Sequence, residues 1–153
     1  MLKENDLAPD FALPSTGGGR KRLADLKGRK VVLYFYPKDD TSGCTRQAID
    51  FNALRSSFQE VGTEVIGLSP DSLASHEKFR KKHGLEIELA SDESRETLER
   101  YGVWTEKSMY GRKYMGVERT TFLIGSDGRI ARVWFKVKVP GHAEEVLAAA
   151  SAL

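Results

Sequence analysis

Six consecutive apolar residues, Val31-Val32-Leu33-Tyr34-Phe35-Tyr36, stand between Arg29-Lys30 and the polar stretch Pro37-Lys38-Asp39-Asp40. The run is short, β-branched and aromatic, and Pro37 stops it, so it reads as a strand. Side chains on a strand alternate between two faces. A run with no polar position must therefore be covered on both faces, which calls for a central sheet between layers.

The rest of the chain supplies those layers. Thr41-Ser42 offers N-cap chemistry ahead of a helical stretch from about Cys44 to Glu60, in which Ala48, Phe51, Leu54, Arg55 and Phe58 recur at helical spacing. Thr63–Leu68 reads as a second strand. A helix opened by Ser69-Pro70-Asp71-Ser72 runs to about Lys82 and ends at His83-Gly84. Ile87–Ala90 is a third, shorter strand, and Ser94–Tyr101 a short helix ended by Gly102. Thr120–Ile124 and Ile130–Phe135 flank the turn Ser126-Asp127-Gly128-Arg129 as a hairpin, and Pro140-Gly141-His142 precedes a last helix, Ala143 to about Ala152. Gly17-Gly18-Gly19 joins two short strand-like pieces near the N-terminus; no Gly-Lys-Ser/Thr follows, so it is not a phosphate loop.

The order β-α-β-α-β-α-β-β-α predicts an α/β fold with a central mixed β-sheet flanked by helices on both faces. A thioredoxin-like core fits it well, and a flavodoxin-like sheet less well because of the terminal hairpin. No linker or repeat interrupts residues 1–153, which are expected to form a single domain. At 153 residues and 40% hydrophobic content, the chain can bury a core without disulfide or metal staples.

The net charge of +2, with cations and anions interleaved, does not point to nucleic acid. No apolar stretch approaches the ~18 residues of a membrane span. The opening Met1-Leu2-Lys3-Glu4-Asn5-Asp6 lacks an apolar signal core, so a cytoplasmic protein is expected. With one cysteine, neither an intramolecular disulfide nor a multi-cysteine metal site can form. His76, His83 and His142 lack metal-ligand spacing and read as surface residues.

Cys44 is the residue most suited to chemistry. It follows a polar loop just beyond the end of the central strand and lies in the first turn of a helix, where α/β sheets place their sites. Free N–H groups and the helix dipole there favour a thiolate. Thiolate attack on an O–O bond leaves charge on the departing oxygen, so it needs hydrogen-bond donors and exclusion of bulk water. Thr41, three residues earlier, can bring a hydroxyl beside the sulfur; the Cys44 N–H is a second donor, and Pro37 an apolar wall without an N–H. Arg119, at the start of the Thr120–Ile124 strand, is the candidate guanidinium, its alternative being a solvated strand-end arginine. Gln47 can orient Arg119 through its amide, although a surface helix position is the simpler reading. Trp104 and Tyr36 suit either the pocket mouth or packing.

Pro37, Thr41 and Cys44 form Pro-x-x-x-Thr-x-x-Cys, and in this the chain resembles the peroxiredoxins. Tyr34-Phe-Tyr-Pro-Lys-Asp-Asp-Thr-Ser-Gly-Cys-Thr45 is similar to the signature of the bacterioferritin comigratory protein, or peroxiredoxin Q, subfamily, with Ser42 where proline is usual. Leu7-Ala-Pro-Asp-Phe11, Tyr101-Gly-Val-Trp104, Tyr114-Met-Gly116, Arg119-Thr-Thr-Phe-Leu-Ile124 and Gly141-His142 extend the match over nearly the whole chain. The resemblance implies a thioredoxin fold and a thiol-dependent peroxidase reducing hydrogen peroxide and organic hydroperoxides, without metal, haem or flavin. It makes Cys44 the peroxidatic cysteine, Thr41 and Arg119 its hydrogen-bonding partners, and Pro37 its shield. It also implies a monomer or weak dimer.

Many members carry a resolving cysteine five positions later, or on the following helix. Here Ile49 stands at the first position, and Ser72–Lys82 contains no cysteine. A one-cysteine cycle is expected, recycled by an external thiol (thioredoxin, glutaredoxin or a small thiol), the alternative being a Cys44–Cys44 bridge to a second subunit. The other reading is a peroxide-sensing switch or holdase driven by Cys44 oxidation.

Overall fold

The computed structural model describes residues 1–153. Strand β3 (Lys30–Phe35) is the middle of a five-stranded sheet ordered β5-β4-β3-β8-β9, formed with β4 (Thr63–Ser69), β5 (Glu88–Ser91), β8 (Thr120–Ile124) and β9 (Ile130–Trp134). β3, β4 and β5 run parallel; β8 and β9 are antiparallel to their neighbours. The expected mixed sheet and thioredoxin-like order are found.

The alternation of β3 divides the core in two. Val31, Leu33 and Phe35 join a cluster with Phe11, Ile66, Leu98 and Phe122 on one face. Val32, Tyr34 and Tyr36 join Cys44, Ala48, Phe51, Phe58, Phe79 and Val146 on the other. The second face is covered by α1 (Ser42–Ala53), α2 (Arg55–Glu60), α3 (Leu73–His83) and α5 (His142–Ala152). The first is covered by α4 (Glu96–Arg100) and the N-terminal pair β1 (Ala12–Pro14) and β2 (Arg20–Arg22), the two short strands expected around the triple glycine. Gly67 in β4 leaves room for this packing: a Cβ there would lie 2.6 Å from Tyr34 Cζ. The Tyr34 ring is held against it by stacking on Phe51, with centroids 4.7 Å apart.

α3 is closed as its sequence predicts, with Ser72 Oγ accepting the Ser75 N–H and Gly84 in the left-handed conformation after the last turn. Two expectations need correction. The helix expected over Cys44–Glu60 begins at Ser42 and breaks at Leu54 into α1 and α2. Asn52 ties the end of α1 elsewhere, accepting the backbone N–H groups of Glu86 and Ile87 through Oδ1. Tertiary anchoring overrides the continuous apolar spacing.

The expected element order also omits a hairpin, β6 (Trp104–Met109) with β7 (Arg112–Val117). Its strands alternate charged, polar and apolar residues on both faces, and its turn is Tyr110-Gly111, both residues at positive φ. No helix is long and apolar enough to cross a membrane.

Candidate active site

β3 delivers the chain to the edge of the second core face, and Pro37 ends it half-buried. The backbone turns sharply at Asp40, which has φ 60°. Thr41 is then the extended N-cap residue of α1, its carbonyl taking the Thr45 N–H at 2.8 Å. The N–H groups of Ser42, Gly43 and Cys44 come before that first helical bond and carry the positive end of the helix dipole. Cys44 points inward, 2% exposed, against the second core cluster.

Arg119 comes from the opposite side. It follows β7 and immediately precedes β8; Glu118 N–H donates to Val103 O, and Val137 N–H to Arg119 O. Its Nη2 lies 3.3 Å from Cys44 Sγ, and its Nη1 donates to Gln47 Oε1. Gln47 is buried at 1% exposure, one turn beyond Cys44, so the surface reading of Gln47 does not hold: its amide orients the guanidinium. Close packing reinforces the pair, since a Cβ on Gly43 would sit 3.3 Å from Nη2. A guanidinium on a thiol sulfur stabilises negative charge there and can share its fork with an incoming oxygen.

Thr41 is placed differently from expectation. Its hydroxyl donates to Lys38 O at 2.9 Å and makes no hydrogen bond to Cys44; the side chain is exposed. The structure thus brings Cys44, Arg119 and Gln47 together, with Pro37 and Thr41 bounding the loop on the Cys44 side.

Two histidines read as surface residues are buried. His76 is fully buried, bonded to Asp39 and Ala90 O. His142 is 7% exposed, its Nε2 2.8 Å from Thr121 Oγ1 and its ring edge-on to Phe51 and Trp134. Burial lowers the His142 pKa, and the Arg119 charge adds to that, against the pull of Glu145 and Glu144. Burial also raises the Tyr34 and Tyr36 hydroxyls; for Tyr34 the nearby Cys44 and Asp39 charges add to the effect. Tyr36 donates to Asp39 Oδ1 at 2.6 Å, which settles it as a buried structural residue. Trp104 lies against the first core cluster with Arg95 over its ring.

Residues 5–133 match the AhpC/TSA family. Peroxiredoxin Bcp of Bacillus subtilis is 46% identical over 140 residues, spanning 92% of this chain and 89% of that one. The chain belongs to the peroxiredoxins. Among solved structures, Xanthomonas campestris peroxiredoxin Q superposes with a TM-score of 0.91 at 41% identity, over 99% of this chain and 96% of that one. That peroxiredoxin has been solved with either of two cysteines replaced by serine. The bacterioferritin comigratory protein of the same organism, described for its alkyl peroxide reduction activity, matches with the same TM-score, identity and coverage of this chain.

This peroxiredoxin is a thiol-dependent peroxidase on a thioredoxin fold. Gln47, Asp39, His76 and His142 are the buried polar residues around its site that sequence reading missed or misplaced. The one local signal was the helical spacing from Cys44 to Gln47.

Proposed function

We propose that Cys44 is the peroxidatic residue of a one-cysteine peroxiredoxin reducing hydrogen peroxide and organic hydroperoxides. The observation that carries this is Arg119 Nη2 on Cys44 Sγ at 3.3 Å, with Gln47 holding the other guanidinium nitrogen. The Cys44 thiolate attacks one peroxide oxygen; the O–O bond breaks, and the departing alkoxide or hydroxide takes a proton and leaves as alcohol or water. Arg119 and the α1 N–H groups face the developing charge. Pro37 shields the sulfur. Thr41 serves as N-cap backbone and loop staple, and its hydroxyl oxygen keeps lone pairs for a peroxide proton.

The product is a Cys44 sulfenic acid. A first external thiol displaces its oxygen as water to form a mixed disulfide, and a second releases the Cys44 thiol and an oxidised dithiol. Organic hydroperoxides are included on the strength of the Xanthomonas campestris relative. The single cysteine supports an external thiol as the group that meets the sulfenic acid, in preference to a Cys44–Cys44 bridge between two subunits. Ile49 sits on the outer side of α1, 42% exposed. The five-residue offset turns that position about 140° around the helix from Cys44, so even a thiol there would meet the sulfur only if α1 unwound. A thioredoxin, a glutaredoxin or a small thiol acting on a monomer or weak dimer in the cytoplasm meets this requirement. A peroxide switch or holdase is the second reading, favoured by the missing resolver; sustained turnover with added thiol separates the two.

The test is stopped-flow fluorescence of the reduced protein with hydrogen peroxide, reported by Trp104 and Trp134, followed by dimedone trapping and mass spectrometry. A fast second-order change with the adduct on Cys44 is expected. Oxidation no faster than that of a free thiol sinks the reading.

A further inference from the structure

His76 and Asp39 take no direct part in this chemistry, yet they form a buried polar knot behind the Cys44 loop. His76 is 0% and Asp39 7% exposed. Asp39 accepts three side-chain hydrogen bonds: from Tyr36 Oη at Oδ1 (2.6 Å), and from Ser75 Oγ (2.8 Å) and His76 Nδ1 (2.7 Å) at Oδ2. Three donors converging on a carboxylate suit its ionised form. On the other side of the ring, His76 Nε2 lies 3.0 Å from Ala90 O, which can only accept. Tyr36 Oη, 3.3 Å from Nδ1, has its one hydrogen on Asp39 and offers Nδ1 only lone pairs. Both ring nitrogens thus face acceptors, whereas a neutral imidazole has one N–H.

The pair fixes the backbone on the way to the site. Tyr36 is the residue before Pro37, and Asp39 lies between Pro37 and Thr41. The Asp39 N–H donates to Asp71 Oδ2 at 2.8 Å, and that oxygen also takes the Ser69 hydroxyl at 2.7 Å. The neighbouring Asp40 reaches Lys82 and His83, but those contacts are exposed and weak. Asp39, Asp71 and His76 have ligand atoms within 4.8 Å of one another, as a metal site would. Here His76 Nδ1 lies 2.7 Å from Asp39 Oδ2, the separation of a direct hydrogen bond.

We propose that His76 is a positioning residue of the peroxidase site: as an imidazolium it holds Asp39, and through it the loop that sets the α1 N-terminus and Cys44 against Arg119. This rests on Cys44 being the peroxidatic residue. A buried carboxylate left without its cation is costly, so loss of His76 alone is worse than loss of the whole pair.

Two measurements test it. Long-range proton–nitrogen correlation spectra of the reduced, full-length protein at neutral pH are expected to show protons on both His76 ring nitrogens. An unprotonated Nδ1 overturns the proposal whether or not any variant folds. In stopped-flow oxidation by hydrogen peroxide, His76→Gln is expected to slow Cys44 by ~10-fold or more through misplacement. Adding Asp39→Asn is expected to restore most of that rate. An unchanged rate in His76→Gln, or a double variant slower than the single one, also overturns it. A wild type inert to peroxide fails the peroxidase reading instead, and the spectrum still decides the protonation of the pair.

Discussion

Cys44 reaches the site from β3, whose residues Val31–Phe35 are each at most 1% exposed, and from a loop tied to α3 by buried hydrogen bonds. Arg119 reaches it from the β6–β7 hairpin, whose strands pair only with each other and which exposes Met109, Tyr110, Tyr114 and Met115. The cysteine side is held by many contacts on both core faces. The arginine side is fixed where the hairpin ends, by Glu118 N–H on Val103 O, Val137 N–H on Arg119 O, the fully buried Thr120 that opens β8, and Gln47 on the guanidinium. The geometry at the sulfur is thus set by the cysteine loop and by the base of the hairpin, and the hairpin tip is left free of it. Substitutions on the first side should cost activity or stability steeply, and those at the tip should cost almost nothing.

The largest effect belongs to Cys44→Ser, which is expected to abolish peroxide consumption in a coupled assay with excess thiol; residual turnover would mean another group reduces peroxide. Arg119→Ala is expected to slow sulfenic acid formation by ~10²-fold, the usual loss for one preorganised donor. A wild-type rate there would move the activating charge to another cation and break the contrast between the two sides. Gly67→Ala comes next. Its Cβ would meet Tyr34 Cζ at 2.6 Å and Leu89 Cδ2 at 2.9 Å, while Phe51 stacks behind Tyr34. Overpacking of this kind costs about 1–3 kcal/mol, read by urea unfolding. Because Phe51 lies on α1, one turn beyond Gln47, peroxide reactivity should fall with stability.

The same contrast governs what the sequence made legible. Val31–Tyr36 announces itself because a two-face-buried strand has no polar position, and the loop to Cys44 is marked by its proline, cap residues and lone thiol. His76 carries no such mark: it lies in Ser75-His76-Glu77-Lys78, an ordinary polar helix, and is buried only because the Asp39 loop folds over it. Gln47 is hidden likewise, since burial of a helical amide depends on an arginine 72 residues away in sequence. The hairpin is poorly marked in the sequence because its turn is Tyr110-Gly111. Both residues have positive φ, as a two-residue type I′ turn requires, but the usual Asn or Asp at the first position is absent.

His142 gives a smaller effect, one that appears only with acid. Its folded pKa is lowered from 6.5 by burial, so the unfolded chain takes up a proton there that the folded protein resists. Its contribution to stability is complete above the unfolded value and is lost as pH falls below it. Urea unfolding at pH 7.5 and pH 5.5 should therefore show a smaller acid-induced loss for His142→Asn than for the wild type. The variant also loses the hydrogen bond to Thr121 at both pH values, so the difference between the two pH values is the informative quantity. An equal or larger acid loss in the variant would show that His142 is protonated in the folded state.

Tyr110 is the mildest probe and the sharpest for the hairpin. It is 98% exposed, with φ 52°, a left-handed conformation that a tyrosine adopts only at a cost and an asparagine adopts readily. Nothing packs on its ring, so Tyr110→Asn removes backbone strain and no contact. The expected gain is up to ~1 kcal/mol, or roughly 2–4 °C in Tm for a chain of this size. The rate of Cys44 oxidation should not change, because Arg119 takes its position from the hairpin base and β8. A gain in stability with an unchanged rate would establish the tip as structurally separate from the site. A changed rate would mean that strain at the turn is transmitted along β7 to the guanidinium, and the two regions would then have to be read as one mechanical unit.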